Sequence, residues 1–268
     1  MDAGWTLDGP SMDRAPWINR ACPWHPTVSL DAPQSRHGRL QMSFTYESIV
    51  PWGRSFDEYR RMFALSADDL DTRILGCGDG PAGFNAQMRR RGGRVVSCDP
   101  LYRFSAAQVE ARIRATYPVV IEQTRREQHK FVWDSIRSVD ELGEIRMQAM
   151  STFLADYEQG KRDGRYVCGE APNLPFGPGA FDLALSSHFL FLYSDNLSLE
   201  FHQQAILDML RVAGEARIFP LLDYNSRRSP YLDPVCAALK QAGYRVSIEP
   251  VPYEFQRGGK EMLRVDKR

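Results

Sequence analysis

Apolar positions along the chain follow two alternating periods. Short apolar runs at residues 72–77, 94–98 and 181–186 have the length of buried strands. Between them, apolar residues recur every three to four positions, as they do on one face of a helix. Strands that alternate with helices form βαβ units. The pattern therefore predicts an α/β fold built on a parallel sheet.

The helices have recognisable starts. Ser55 with Glu58 is a capping box, and so is Ser138 with Glu141, which opens a long amphipathic helix that continues to the region of Gly160. Other segments show the same periods more briefly. We predict further helices at 82–91, 200–212 and 232–242 and further strands at 166–168 and 216–221.

The end of the chain breaks the alternation. Residues 244–251 and 254–265 are two extended segments with only Pro252 and Tyr253 between them. Parallel neighbours need a crossover of a dozen or more residues, so these two segments must pair antiparallel. The predicted fold is thus a mostly parallel sheet that ends in an antiparallel pair.

Residues 1–41 differ from the rest of the chain because prolines interrupt the segment. Its apolar residues follow neither the strand pattern nor the helix pattern. We expect a poorly ordered extension there. Residues 42–268 then form a single domain. The prolines concerned are Pro10, Pro16, Pro23, Pro26 and Pro33.

Composition narrows the possible functions. The 268 residues are 43% hydrophobic, and 34 basic residues balance 34 acidic ones. Such a chain can bury a core, which excludes disorder throughout. It lacks the basic field with which proteins hold nucleic acids, so a nucleic-acid partner is not expected. Oligomeric state does not follow from these numbers.

The cellular compartment and the metal content are predicted from sequence features that the chain lacks. No apolar run is long enough to cross a bilayer, and the first ten residues have no basic start of a signal peptide. The five cysteines are scattered and form no Cys-x-x-Cys pair, so we expect neither a disulfide framework nor a zinc site. The expected location is the cytoplasm, without a membrane partner.

A glycine-rich loop carries the strongest chemical signal. Residues 73–84 read Arg-Ile-Leu-Gly-Cys-Gly-Asp-Gly-Pro-Ala-Gly-Phe and lie between a predicted strand and a predicted helix. Glycines allow a tight turn and a close approach of a ligand to the backbone, and the helix start offers free N–H groups. Asp99 ends the next strand, nineteen residues after Gly80. A carboxylate there can accept hydrogen bonds from a ribose diol, so the loop predicts a nucleotide-type ligand.

Two ligand classes fit this loop. Gly78-x-Gly80-x-x-Gly83 matches the dinucleotide fingerprint, which predicts a pyrophosphate on the helix. The overlapping Gly76-x-Gly78-x-Gly80 resembles the first motif of class I S-adenosylmethionine-dependent methyltransferases. Three further segments extend that resemblance: Gly-Glu-Ala-Pro-Asn-Leu-Pro-Phe at 169–176, Ala-Phe-Asp-Leu-Ala-Leu-Ser-Ser at 180–187, and Met-Leu-Arg-Val at 209–212.

The resemblance implies a fold and a cofactor. The family has a Rossmann-like sheet of seven strands with one reversed strand near its end, which fits the predicted antiparallel pair. It implies that S-adenosylmethionine is bound and that its methyl group passes to an acceptor, expected here to be a small molecule. The residues that this resemblance assigns to the cofactor are Gly76, Cys77, Gly78, Asp79 and Gly80 for the amino-acid end, Asp99 and Pro100 for the ribose, Glu170 and Ala171 for the adenine, and Ser186 at the end of the fourth strand.

The chain departs from the family pattern in two places. The acidic residue that usually stands two positions before the first glycine is Ile74. In addition, residues 102–164 replace the single short helix that commonly joins the second strand to the third. We interpret this segment as two or three added helices and expect it to cap the acceptor pocket.

His188 is the candidate catalytic residue because it directly follows the fourth strand, at the edge where an open α/β sheet binds its ligands. It would act as a general base if the accepting atom must lose a proton. Three other functions stay open. One is a module of the same fold that binds S-adenosylmethionine without catalysis, and another is an NAD-dependent oxidoreductase. The third is a nucleic-acid methyltransferase, against which the neutral net charge argues.

Overall fold

The computed structural model describes residues 50–267, so the predicted extension 1–41 and the domain boundary at residue 42 lie outside the described residues. The helices are α1 (Phe56–Met62), α2 (Ala67–Leu70), α3 (Phe84–Arg90), α4 (Ala106–Arg126), α5 (Val139–Arg162), α6 (Leu199–Val212) and α7 (Leu232–Gln241). The strands are β1 (Arg73–Cys77), β2 (Arg94–Cys98), β3 (Tyr166–Val167), β4 (Phe181–Ser187), β5 (Ala213–Phe219), β6 (Arg245–Pro250) and β7 (Glu261–Asp266).

The described strands form one sheet of seven in the order β3-β2-β1-β4-β5-β7-β6. The first five strands in that order are parallel, and β7 runs antiparallel to both β5 and β6. This confirms the predicted fold class, a Rossmann-like sheet with a reversed strand near its end and helices inserted after the second strand. It is the strand order of the class I methyltransferase fold.

The last strand begins later than the sequence pattern predicts. We expected an extended segment from residue 254, but β7 starts at Glu261, and residues 251–260 form a connection in which Tyr253 and Phe255 are buried. The buried aromatic residues gave this connection the apolar pattern of a strand. The antiparallel pairing of the last two strands is as predicted.

Each face of the sheet carries its own layer of helices. Helices α1, α3 and α5 pack on the face that presents Ile74, Leu183 and Leu185. Helices α6 and α7 pack on the opposite face, against Leu75 and Ala184. Because neighbouring strand residues point to opposite faces, both layers follow from the near-continuous apolar composition of the central strands.

The segment between β2 and β3 has two parts with different roles in the fold. Helix α5 belongs to the layer that covers the sheet, since it packs against α3 and β3. Helix α4 packs on α5 instead, and residues 127–133 leave the layer. Phe131 forms a bridge with Gln256 in the β6–β7 connection, and its ring stacks on Phe255. The segment therefore crosses the carboxyl edge of the sheet from β2 towards β7.

Helix α4 also contacts the loop after β5. The side-chain amide of Gln123 donates a hydrogen bond to the Tyr224 hydroxyl over 3.0 Å. Near the middle of α4, the ring of Tyr117 lies 6.0 Å from that of Trp52, which precedes α1. These contacts place α4 beside the carboxyl ends of the central strands.

Candidate functional site

The strand order reverses direction between β1 and β4, and ligands of open α/β sheets bind outside the carboxyl ends of strands at such a switch point. The residues that the chain places there are the glycine loop Gly76–Gly80, Asp99 after β2, and the segment 188–193 after β4. We call these three parts the switch-point site.

The glycine loop is shaped by two left-handed residues. Gly78 has φ +69° and Gly80 has φ +54°, a conformation that glycine adopts without steric cost. A Cβ at Gly78 would lie 3.1 Å from the ring of Phe189, whereas a Cβ at Gly80 would have no heavy atom within 4 Å. The Tyr102 hydroxyl donates to the Gly80 carbonyl over 2.8 Å. The loop is thus fixed at both ends and faces open space at its third glycine.

Asp99 is tied directly to this loop. Its Oδ2 accepts a hydrogen bond from the Gly80 N–H at 2.8 Å, and its Oδ1 accepts one from the Leu101 N–H at 2.7 Å. Burial raises the pKa of Asp99, those two hydrogen bonds oppose the shift, and the Glu170 carboxylate adds to it. Each carboxylate oxygen keeps a second lone pair, so Asp99 can still accept hydrogen bonds from a ligand.

Glu170 lies close enough to Asp99 for their charges to repel. Its side chain is exposed, and burial raises its pKa while Arg103 opposes the shift. The next residue, Ala171, is 5% exposed and packs in the apolar cluster under the sheet edge. Pro100 is partly buried and starts the short 3-10 helix that Asp99 caps. Four of the predicted cofactor residues therefore stand together at the ends of β2 and β3.

The loop that follows Glu170 is held in place by α6. Asp208 accepts hydrogen bonds from the backbone N–H groups of Asn173 and Leu174 at 2.7 and 2.6 Å. Arg211 pairs with Asp208 and donates to the carbonyls of Leu174 and Phe176. The Met-Leu-Arg-Val segment singled out in the sequence thus supplies an arginine that anchors this loop.

Three other predicted cofactor residues point away from the open side of the loop. Asp79 turns inward beneath Gly76, where it accepts hydrogen bonds from the Tyr59 hydroxyl at 2.8 Å and the Ser97 hydroxyl at 2.6 Å. Burial raises the pKa of Asp79 to about 6, against the effect of those hydrogen bonds. Cys77 and Ser186 are both buried, and the Ser186 hydroxyl has no hydrogen-bond partner among residues 50–267.

His188 follows β4 with a left-handed backbone, at φ +52°. Its Nδ1 lies 3.0 Å from the Ser187 hydroxyl, and its ring packs edge-on against Phe219. Burial lowers its pKa well below 6.5, and the positive charges of Arg54 and Arg146 lower it further. The imidazole is therefore neutral at pH 7, and the same effects make it a weaker base than an exposed histidine.

A buried charge cluster beside His188 was not singled out from the sequence. Glu58 pairs with Arg146 over 2.6 Å, and the side chains of both are at most 3% exposed. Glu58 also accepts a hydrogen bond from the Tyr253 hydroxyl at 2.9 Å. One signal was present: Arg146 lies four residues after Leu142 and so stands on the apolar stripe of α5. We interpreted Glu58 only as half of a capping box.

Residues 50–267 contain neither a candidate metal site nor a helix that could span a membrane. No group of three or more His, Cys, Asp or Glu side chains within residues 50–267 could hold a metal ion. Over the same residues, no helix is long and apolar enough to span a membrane.

Comparisons with known proteins identified a curated relative that is similar to this chain in sequence. No protein-family model matches it. Uncharacterized protein MJ0045 of Methanocaldococcus jannaschii is 32% identical over 218 residues, which cover 81% of this chain and 96% of that protein.

Solved structures with a similar arrangement are more distant. An S-adenosylmethionine-dependent methyltransferase of Thermotoga maritima is 15% identical with a TM-score of 0.41, over 79% of this chain and 87% of that one. A TehB-like S-adenosylmethionine-dependent methyltransferase of Corynebacterium glutamicum is 16% identical, also with a TM-score of 0.41, over 79% and 86% of the two chains. Because these TM-scores are low, the fold is assigned from the strand order of the sheet.

Proposed function

This chain belongs to the same family as protein MJ0045 of M. jannaschii and has the class I methyltransferase fold, and from that premise we propose that it transfers a methyl group from S-adenosylmethionine to a small molecule. One observation carries the proposal. The Asp99 carboxylate is hydrogen-bonded to the third glycine of the loop, at the switch point of the sheet. A nucleoside that lies along this loop brings its ribose hydroxyls to that carboxylate.

The residues at the ends of β2 and β3 fit the cofactor. The loop is open at Gly80, Asp99 has free lone pairs for the ribose hydroxyls, and Glu170 with Ala171 would bracket the adenine. The loop from Gly76 to Gly80 would hold the amino-acid end. Bound S-adenosylmethionine supplies an activated methyl group on a sulfonium.

The chain's own contribution is alignment and exclusion of water, because methyl transfer is an in-line displacement. Helix α4 and residues 127–133 would close the open edge over the acceptor. His188 would accept the proton of an acceptor hydroxyl or amine at its ring nitrogen, for which its neutral state at pH 7 is required.

Titration calorimetry with S-adenosylhomocysteine tests the cofactor assignment. We expect Asp99→Ala to weaken binding by about 1.5–3 kcal/mol, the value of lost charged hydrogen bonds. Asp134→Ala, which removes an exposed carboxylate, serves as the matched control and should bind normally. Binding that survives Asp99→Ala unchanged would show that the ribose lies elsewhere.

The same titration tests the oxidoreductase, and a methyl-transfer assay tests the non-catalytic module. NAD should produce no heat, and tight NAD binding would establish the oxidoreductase instead. A non-catalytic binding module is favoured by Ile74, which is fully buried in the core where the family usually has an acidic side chain. Transfer of a labelled methyl group to any copurifying small molecule, identified by mass spectrometry, would exclude such a module.

A further inference from the structure

Two guanidinium groups share one carboxylate beside the switch-point site. Arg146 is 0% exposed and pairs with Glu58, and Arg54 is partly buried next to them. The Nε atoms of both arginines are buried and have no hydrogen-bond partner within residues 50–267. Among these three side chains the charges sum to one positive. A buried charge without a partner is costly, so a counter-charge is needed there.

Glu58 is already occupied by other donors. Its Oε2 accepts hydrogen bonds from Arg146 at 2.6 Å and from both the backbone N–H and the hydroxyl of Ser55, at 2.9 and 3.1 Å. Its Oε1 accepts the Tyr253 hydroxyl. Arg54 instead donates from Nη1 to the Trp52 carbonyl over 2.6 Å. This contact is with a neutral group, and no carboxylate within residues 50–267 forms an ion pair with Arg54.

The backbone of Arg54 is fixed against the glycine loop. Its carbonyl accepts a hydrogen bond from the Gly83 N–H at 2.9 Å, and Gly53 packs so closely on Pro81 that a Cβ there would collide with the Pro81 carbonyl. On the other side, the charge of Arg54 lowers the pKa of His188 and opposes the rise in the pKa of Tyr193 that burial causes. Arg54 is therefore anchored beside the start of α3, directly after the glycine loop, and its charge acts on His188 and Tyr193 in segment 188–193.

We propose that Arg54, with Arg146 behind it, binds a carboxylate of the small molecule that occupies the switch-point site. A guanidinium presents its N–H groups as a planar fork that matches a carboxylate with two parallel hydrogen bonds. Two molecules at this site could bring the carboxylate: the cofactor through its amino-acid end, or the acceptor. The inference rests on the proposed function, which places both there.

The first experiment tests the cofactor as the source. S-adenosylhomocysteine and the same compound without its carboxyl group are titrated into the unmodified protein, into Arg54→Gln and into Arg54→Lys. If the cofactor brings the carboxylate, its removal weakens binding to the unmodified protein by about 10- to 100-fold. Arg54→Gln should lose the same factor for S-adenosylhomocysteine and nothing for the decarboxylated compound, with Arg54→Lys in between.

The second experiment tests the acceptor as the source. Acetate, succinate and benzoate, and the matching amides, are added to the protein saturated with S-adenosylhomocysteine, and the melting temperature is measured. If the acceptor brings the carboxylate, at least one acid raises the melting temperature while its amide does not. Arg54→Gln abolishes the difference, whereas Arg89→Gln, which removes an exposed arginine in the last turn of α3, preserves it.

The outcomes separate the two proposals. If S-adenosylhomocysteine does not bind the unmodified protein, the proposed function fails, and the acids added alone decide whether the subsite exists. If the decarboxylated compound binds as tightly as S-adenosylhomocysteine, and no acid differs from its amide, the carboxylate subsite is wrong although the methyltransferase assignment stands. The comparison of ligands on the unmodified protein does not depend on how well the variants fold.

Discussion

At the scale of single residues, Asp79 and Asp99, which the family resemblance both assigns to the cofactor, lie in opposite surroundings. Asp99 keeps its carboxylate at the edge of the loop, where a ligand can reach it. Asp79 is 7% exposed, and its two carboxylate oxygens accept hydrogen bonds from the hydroxyls of Tyr59 and Ser97. The Asp79 carboxylate lies beneath Gly76. It is therefore close to Ile74, which occupies the strand position where the family usually has an acidic residue. The role of Asp79 is therefore to hold the loop against α1 and β2.

Asp79→Asn should stabilise the protein at neutral and higher pH. Burial raises the pKa of Asp79 to about 6, above its unfolded value of 3.8, so the stability that this group contributes is complete below pH 3.8 and is lost as the pH rises through 6. The variant should match the unmodified protein near pH 4 and exceed its free energy of unfolding by about 2–3 kcal/mol at pH 8. Urea unfolding at both pH values measures this. An equal effect at both pH values would contradict the raised pKa.

His188 should stay neutral throughout the physiological pH range. Burial and the charges of Arg54 and Arg146 lower its pKa well below 6.5, so the NMR signal of its ring should show no protonation step at pH 6.5 or above. With an acceptor in hand, His188→Ala should reduce methyl transfer by about 10²–10⁴-fold and leave the affinity for S-adenosylhomocysteine intact. A titration midpoint at or above 6.5 would contradict the lowered pKa, and an equal loss of binding and transfer would remove His188 from the role of base.

At the scale of helices, the Glu58–Arg146 pair joins α1 to α5. Removing either partner leaves the other charge buried, so Glu58→Gln and Arg146→Met should each lower the free energy of unfolding by about 3–5 kcal/mol. The double variant should lose clearly less than the sum, because the first substitution has already broken the ion pair that the second would break. Chemical denaturation of all four proteins gives the coupling.

The exposed pair Arg137–Glu141 at the start of α5 provides the matched control. The same cycle there should show no measurable coupling, because water screens an exposed pair. Additive losses at Glu58 and Arg146 would mean that the two side chains act independently in the folded protein.

At the scale of the whole molecule, the segment between β2 and β3 crosses the carboxyl edge at which the switch-point site lies. We expect S-adenosylhomocysteine to slow amide hydrogen exchange in α4 and in residues 127–133, because a bound ligand would order the contacts with Tyr224 and Gln256. Helix α7, on the far side of the sheet, is the internal control and should not change. No altered protection anywhere between residues 102 and 164 would count against a cap.

The sequence determined the fold and half of the candidate site because both depend on local features. Alternation of strand and helix periods predicted the parallel sheet, and the short link at the end predicted the antiparallel pair. Gly78 and Gly80 permit the left-handed backbone that this tight turn uses, and Asp99 ends a strand beside them. Parallel strands bring such ends to one edge, so the position of Asp99 could be predicted without coordinates.

Tertiary structure alone decided which side chains face the open edge of the sheet. Asp79 and Asp99 cannot be told apart by type or spacing, and only packing against Tyr59 and Ser97 turned Asp79 inward. Arg146 stands 88 residues from Glu58 in the chain, so their pairing has no local signal. Local periodicity reports how a segment folds on itself. The charge left on Arg54 depends on how distant segments pack, which only the folded chain determines.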